Sequence, residues 1–199
     1  LAEEVIAENW GDAVCVGRSF VADPYWPKKA MEGREEDIVP CLRCDYCYHS
    51  ATDHMNLFCS VNPRLFRERR VPAAIEPASV RKKVVVIGGG PAGMKAALTA
   101  DRRGHQVTLL EQNSSLGGAL TIFNQEPHKL DLRRYRDYLI EQIAKSGVNV
   151  RLNTKATPEL VKNLNPDHLI LALGGKWAIP PIPGIERGLT PAQAHTNPI

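Results

Sequence analysis

Cys41, Cys44 and Cys47 form a C-x-x-C-x-x-C run, and Cys59 follows after eleven intervening residues, just before Val61-Asn62-Pro63. Three thiolates this close together can wrap a cubic cluster, because each can point at a different iron while a fourth arrives from a more distant loop. Zinc sites more commonly pair two separated C-x-x-C knuckles around one tetrahedral ion. The pattern therefore predicts a four-iron four-sulfur cluster on Cys41, Cys44, Cys47 and Cys59, with zinc as the alternative. His49 and His54 share this loop and could replace a thiolate, although a lone loop histidine is more often solvated. Arg64, Arg67, Arg69 and Arg70 make a basic run that reads as a solvated or docked face, with a path for an acidic partner as the alternative.

A second constellation is Gly88-Gly89-Gly90-Pro91-Ala92-Gly93, a G-x-G-x-x-G turn that follows a run of β-branched residues and precedes an Ala-rich helix. Gly88 allows the tight turn, Gly90 lets the backbone approach a pyrophosphate, and Gly93 lets the helix pack closely on the strand. The helix start at Ala92 then offers free N–H groups and a positive dipole end to phosphates. Glu111 ends the next strand pattern 18 residues after Gly93. There it would accept hydrogen bonds from a ribose hydroxyl and repel a 2'-phosphate. A lone glycine motif is weak evidence, but here the strand, the helix and the acid agree in spacing.

The elements that must hold these residues fall into three zones. Residues 1–40 are mixed, with a helical stretch from Ala2 to Asn9, a strand pattern from Asp12 to Gly17 that carries Cys15, and a helix around Trp26 to Gly33. Cys15 is expected to be a small buried hydrophobe. Residues 41–80 hold the cysteines and an extended linker, Val71 to Ser79, marked by Pro72 and Pro77. Residues 81–199 alternate strand and helix patterns. Strands are predicted over Lys83 to Ile87, Gln106 to Glu111, Val148 to Leu152 and His168 to Leu173. Between them lie a helix stopped by Gly104, an amphipathic helix from Lys129 to Lys145, and a short helix opened by Thr157 and Pro158. Leu132, Tyr135, Leu139 and Ile143 place the apolar stripe of the second of these. This alternation indicates an α/β fold with a mostly parallel sheet.

Composition bounds the function further. The chain has 199 residues, 43% of them hydrophobic and 24% charged, which excludes disorder and small disulfide scaffolds. No apolar run reaches the roughly 20 residues of a spanning helix, so no membrane role is expected. A net charge of +3 is too slight to argue for nucleic acid. The acidic start Leu1-Ala2-Glu3-Glu4 is unlike a signal peptide, and crowded thiols argue against a secreted disulfide framework. A cytoplasmic piece of a longer protein is expected.

Several of these marks resemble known families. Gly117-Gly118, close after Glu111, is similar to the FAD-binding pattern of flavoprotein disulfide reductases, and Leu169 to Gly174 with Pro180-Pro181-Ile182-Pro183-Gly184 looks like their second sequence mark. On that resemblance FAD is favoured over NAD, with Gly118 at the cofactor. The pairing of cluster motif and dinucleotide motif resembles the family of 2,4-dienoyl-CoA reductase and trimethylamine dehydrogenase, which includes NADH:flavin oxidoreductases of the old yellow enzyme type. The resemblance implies that residues 1–40 are the C-terminal end of an FMN-binding TIM barrel, 41–80 the iron-sulfur segment, and 81–199 part of a Rossmann-like FAD domain.

It implies that Gly17 and Arg18, in Asp12-Ala-Val-Cys-Val-Gly-Arg-Ser-Phe-Val-Ala-Asp-Pro24, help hold the FMN phosphate. It also implies NAD(P)H-dependent reduction of activated C=C bonds in a small-molecule substrate. Electrons would pass from FAD through the cluster to FMN, with the rest of the polypeptide supplying the barrel and the NAD(P)H domain. None of the residues present is expected to be a general acid or base. The alternatives are an amine dehydrogenase of the same family, with ADP in the nucleotide domain and a partner electron-transfer flavoprotein, and a zinc-structured module without enzymatic activity. Some family members space the third cysteine one residue further, which bears on the loop at Asp45-Tyr46.

Overall fold

The computed structural model describes residues 2–53, 56–71, 74–123 and 126–196. They divide into two compact units, residues 1–71 and 72–199, with the boundary at Val71. His54 and Pro72 lie outside the described residues.

The first unit contains short helices, α1 (Ala2–Ala7), α2 (Arg18–Ala22), α3 (Trp26–Met31) and α4 (Tyr46–Thr52). What organises its first half is a buried carboxylate. Asp23 is 3% exposed, and its oxygens accept from the Tyr25 N–H at 3.0 Å, the Val39 N–H at 2.9 Å and Lys29 Nζ at 2.6 Å. Lys29 also donates to the Asp37 carbonyl at 2.8 Å, so one ion pair closes α3 onto the loop that leads to the cysteines. Removing one partner of a buried pair leaves the other charge unsatisfied. Asp23→Ala is therefore expected to destabilise this unit by about 3 kcal/mol, checked by urea unfolding followed through tryptophan fluorescence.

The strand expected over Asp12 to Gly17 does not form, and Cys15 is exposed rather than buried. A strand exists only through its ladder, and every strand of the described sheet lies in the other unit. The apolar alternation of Val14 and Val16 has no neighbour to pair with.

The second unit is an α/β layer. Its strands β1 (Lys83–Ile87), β2 (Gln106–Leu110), β3 (Asn149–Arg151) and β4 (His168–Leu171) form one parallel sheet in the order β3-β2-β1-β4. In register, Val84 pairs Val107 and His168, and Ile87 pairs Leu110 and Leu171. Helices α5 (Pro91–Arg102) and α6 (Leu130–Ala144) pack together, with α5 against β1 and β2, while α7 (Pro158–Leu164) and α8 (Pro191–Thr196) are short. Val86, Met94, Ala97, Leu109 and Leu139 meet at the centre with no exposed surface. Burial of each of the larger side chains here, Val86, Met94, Leu109 and Leu139, contributes roughly 1.5–3 kcal/mol.

The predicted stripe of α6 turns inward at Tyr135, Leu139 and Ile143. Thr157 caps α7 by accepting from the Leu160 N–H at 3.2 Å, with Pro158 at the first position. The edge strand β4 leaves Leu169 44% and Leu171 64% exposed. Among the described residues no helix is long and apolar enough to cross a membrane.

Candidate functional site

The glycine turn lies where the C-terminal ends of the parallel strands meet the start of α5. Gly88 follows β1 with φ +106°, and a Cβ there would stand 2.2 Å from the Ala172 carbonyl oxygen. A Cβ on Gly93 would stand 1.8 Å from the Gly88 carbonyl oxygen, so the first turn of α5 rests directly on the turn that precedes it. Both positions require glycine for the close approach that the spacing predicts. Gly90 caps α5 with no side-chain hydrogen bond, leaving the helix start, which includes Ala92, facing an open cleft.

The Gly117-Gly118 pair has its own task. Gly118, at φ +52°, brings its backbone so near that an added Cβ would be 2.8 Å from the Gly90 Cα, and the Gly117 N–H donates to the Gly89 carbonyl at 2.9 Å. Two glycine segments are thus laid backbone to backbone along one wall of the cleft.

Glu111 sits under this arrangement, 5% exposed. One carboxylate oxygen accepts from the Gly89 N–H at 2.6 Å, and the other accepts from the Asn113 N–H at 2.8 Å and Asn113 Nδ2 at 2.7 Å. A carboxylate has about four acceptor positions, so one remains on the oxygen that holds Gly89. That position is open to a hydroxyl donor. Asn113 was not anticipated from sequence; its signal is a short amide side chain two residues after an acid at a strand end. Glu111→Ala would strand the Gly89 N–H and remove that open acceptor. A loss of about 1–3 kcal/mol in ADP affinity is expected, measured by titration calorimetry.

The cleft has a volume of ≈ 710 Å³, within the roughly 300–1,000 Å³ of small-ligand sites. Gly88, Gly90, Ala92, Glu111 and Gly118 all line it, together with Thr154, Lys155, Gly174 and Trp177. Gly93 acts from beneath, through packing.

In the other unit, Cys41, Cys44, Cys47 and Cys59 line one small pocket, shared with Arg18, Val21 and Asp45. The loop achieves this by passing through left-handed backbone at Arg43 (φ 49°) and Asp45 (φ 55°), which reverses its direction between successive cysteines. Cys59 is brought in by two anchors. Before it, the Phe58 N–H donates to the fully buried Ser50 Oγ at 3.2 Å, and that hydroxyl donates to the Cys47 carbonyl at 3.1 Å. After it, Asn62 Nδ2 donates to the Val21 carbonyl at 2.8 Å.

Burial pushes the Cys59 thiol upward, as do Cys41 and Cys47, while the Val61 and Asn62 backbone N–H groups bond to its sulfur and oppose the rise. The Arg43 N–H lies 3.4 Å from the Cys41 sulfur, and Ser60 Oγ lies 3.3 Å from the Cys44 sulfur. Hydrogen bonds to cysteine sulfur are among the features that stabilise and tune iron-sulfur centres. Among the described residues no group of Cys, His, Asp and Glu is drawn together as for a single metal ion. The four cysteines line the same pocket, and as a donor set four thiols suit a thiolate-held cluster.

His49 is exposed on α4 outside this pocket, and His54 lies outside the described residues. In the basic run, Arg67 stacks over the Phe58 ring at 4.7 Å and Arg64 Nε donates to the Val71 carbonyl at 3.0 Å, so these two brace the cysteine segment. Arg18, expected at an FMN phosphate, is ion-paired with Asp45 of the cysteine loop, and Gly17 precedes it as the residue before α2.

A parallel sheet with a glycine turn at its C-terminal edge, an acid at the end of the second strand and a cleft between them defines a dinucleotide-binding α/β domain. The chain belongs to the pyridine nucleotide-disulphide oxidoreductase family, whose pattern its residues 82–197 match. It is 46% identical to an NADH oxidase of Thermoanaerobacter brockii over 94% of this chain and 29% of that protein. Among solved structures, it is similar to a 2-naphthoyl-CoA reductase in complex with 2-naphthoyl-CoA, with 41% identity and a TM-score of 0.88 over 94% of this chain and 28% of that one. It is also similar to histamine dehydrogenase from Rhizobium sp. 4-9, with 30% identity and a TM-score of 0.83 over 88% of this chain and 26% of that one. These relatives bear out the resemblance to the 2,4-dienoyl-CoA reductase and trimethylamine dehydrogenase family. The chain spans under a third of the length of each.

Proposed function

We propose that the chain is the central segment of a flavoprotein oxidoreductase that reduces activated C=C bonds at the expense of NAD(P)H, with FAD in the cleft of the second unit and a four-iron four-sulfur cluster on Cys41, Cys44, Cys47 and Cys59. The observation that carries the reading is the coexistence of a four-thiol pocket and a glycine-turn cleft in one chain. When bound, such a cluster supplies one-electron steps between two flavins that exchange electron pairs with their other partners.

The roles of the chain's own residues follow from their positions. Gly88 and Gly93 shape the turn, Gly90 and Ala92 face the pyrophosphate, and Glu111, held by Asn113, takes a ribose hydroxyl. Gly118 holds its backbone against Gly90 on the same wall. The Ser50 and Asn62 anchors hold Cys59 toward Cys47. Residues 1–40 are assigned as the last part of an FMN-binding barrel, with Gly17 and Arg18 toward the FMN phosphate. Substrate and its proton donor are assigned to the remainder of the same polypeptide. Crowded cysteines read as metal ligands rather than as a disulfide framework suit the cytoplasm.

A second reading is an amine dehydrogenase that holds ADP in the cleft and passes electrons to an electron-transfer flavoprotein; the likeness to histamine dehydrogenase favours it. Denaturing the purified protein and separating the released nucleotides distinguishes the two. FAD supports the reductase, whereas ADP without FAD overturns it in favour of the amine dehydrogenase.

A further inference from the structure

Arg18 and Asp45 pair in the same pocket that takes in Cys41, Cys44, Cys47 and Cys59. Asp45 stands in sequence between two of the cysteines and directly precedes α4, where an Asp side chain commonly caps the helix. Here it makes no such cap, and its carboxylate meets Arg18 instead. A guanidinium keeps its charge throughout the accessible pH range, so the pocket carries a permanent cation, and Asp45 is the carboxylate paired with it.

This inference rests on the reading that the cysteines hold an iron-sulfur cluster. On that basis, we infer that Arg18 and Asp45 are a charge-balancing pair that sets the reduction potential of the cluster held by this pocket. Reduction adds one electron and makes the cluster more negative. A nearby cation favours that state and a nearby anion opposes it, so the intact pair holds two opposed influences in balance. Losing either member unbalances the site, in opposite directions. The side chains are 47% and 51% exposed, so solvent damps each influence without abolishing it. A residue that served only to bind a phosphate, or only to brace the loop, would not give shifts of opposite sign.

The test is a redox titration of the full chain purified without oxygen, followed by electron paramagnetic resonance, with iron and acid-labile sulfide measured on every sample. Arg18→Gln is expected to lower the midpoint potential and Asp45→Asn to raise it. Arg18→Lys should stay near the parent, and the double variant Arg18→Gln/Asp45→Asn should fall between the single ones. Single variants that keep their cluster and shift together, or do not shift, overturn the inference. If Arg18→Gln cannot retain its cluster, Asp45→Asn decides alone, with a rise in support and anything else against. A parent protein without iron and sulfide overturns the cluster reading itself, and metal content registers that separately from any potential.

Discussion

Cys47→Ser is expected to abolish cluster loading, with iron and sulfide falling to background, while the second unit keeps its fold and binds nucleotide as before. A serine hydroxyl stays protonated where a thiol readily gives up its proton to metal, so one ligand is lost outright. The substitution spares the neighbouring architecture, because Ser50 bonds the backbone carbonyl of residue 47 and not its side chain. The core around Val86, Met94 and Leu109 belongs to the other compact unit. Iron, sulfide and ADP binding measured on one preparation check both halves of the expectation. Full iron content in the variant would remove Cys47 from the ligand set.

Gly93→Val is expected to have the largest effect in the second unit. Its Cβ would fall 1.8 Å from the Gly88 carbonyl oxygen and 3.3 Å from the Ala172 Cβ, and both the turn and the end of β4 are held by the sheet. Relief requires α5 to lift off β1, which costs about 3 kcal/mol or more and distorts the turn that would receive a pyrophosphate. Gly104→Ala is the informative contrast. Unlike Gly93, Gly104 is a glycine at positive φ, +85°, and nothing lies within 4 Å of the new Cβ. About 1 kcal/mol of stability should be lost there, with nucleotide binding unchanged. Thermal melting and ADP titration of the two variants separate backbone strain from the packing of the nucleotide turn.

The parts of this protein that were legible in sequence are those with local causes. The four strands of the sheet, the turn at Gly88 to Gly93, the stripe of α6 and the Thr157 cap each depend on residues near in sequence, and each forms where its pattern places it. The strand expected over Asp12 to Gly17 fails for the complementary reason. Its alternation is real, but a ladder needs a neighbour, and Cys15 is exposed as a result. Contacts between distant residues left little trace. Asp23 reads as an ordinary turn acid before a proline, yet it is the buried acceptor of a lysine six residues on and an amide sixteen residues on. The pairing of Arg18 with Asp45 across 27 residues, and the backing of Gly90 by Gly118, depend on how loops fold back and not on any local propensity. In the cleft the glycines and Glu111 were expected, whereas Asn113, which orients the acid, was not.

We propose that Cys41, Cys44, Cys47 and Cys59 hold an electron-carrying cluster in a chain that also carries a flavin-type nucleotide domain. Iron, acid-labile sulfide and zinc per chain, measured on protein purified without oxygen, test it most directly. About four iron with matching sulfide are expected. About one zinc and no sulfide would contradict it and make the first unit a structural metal module.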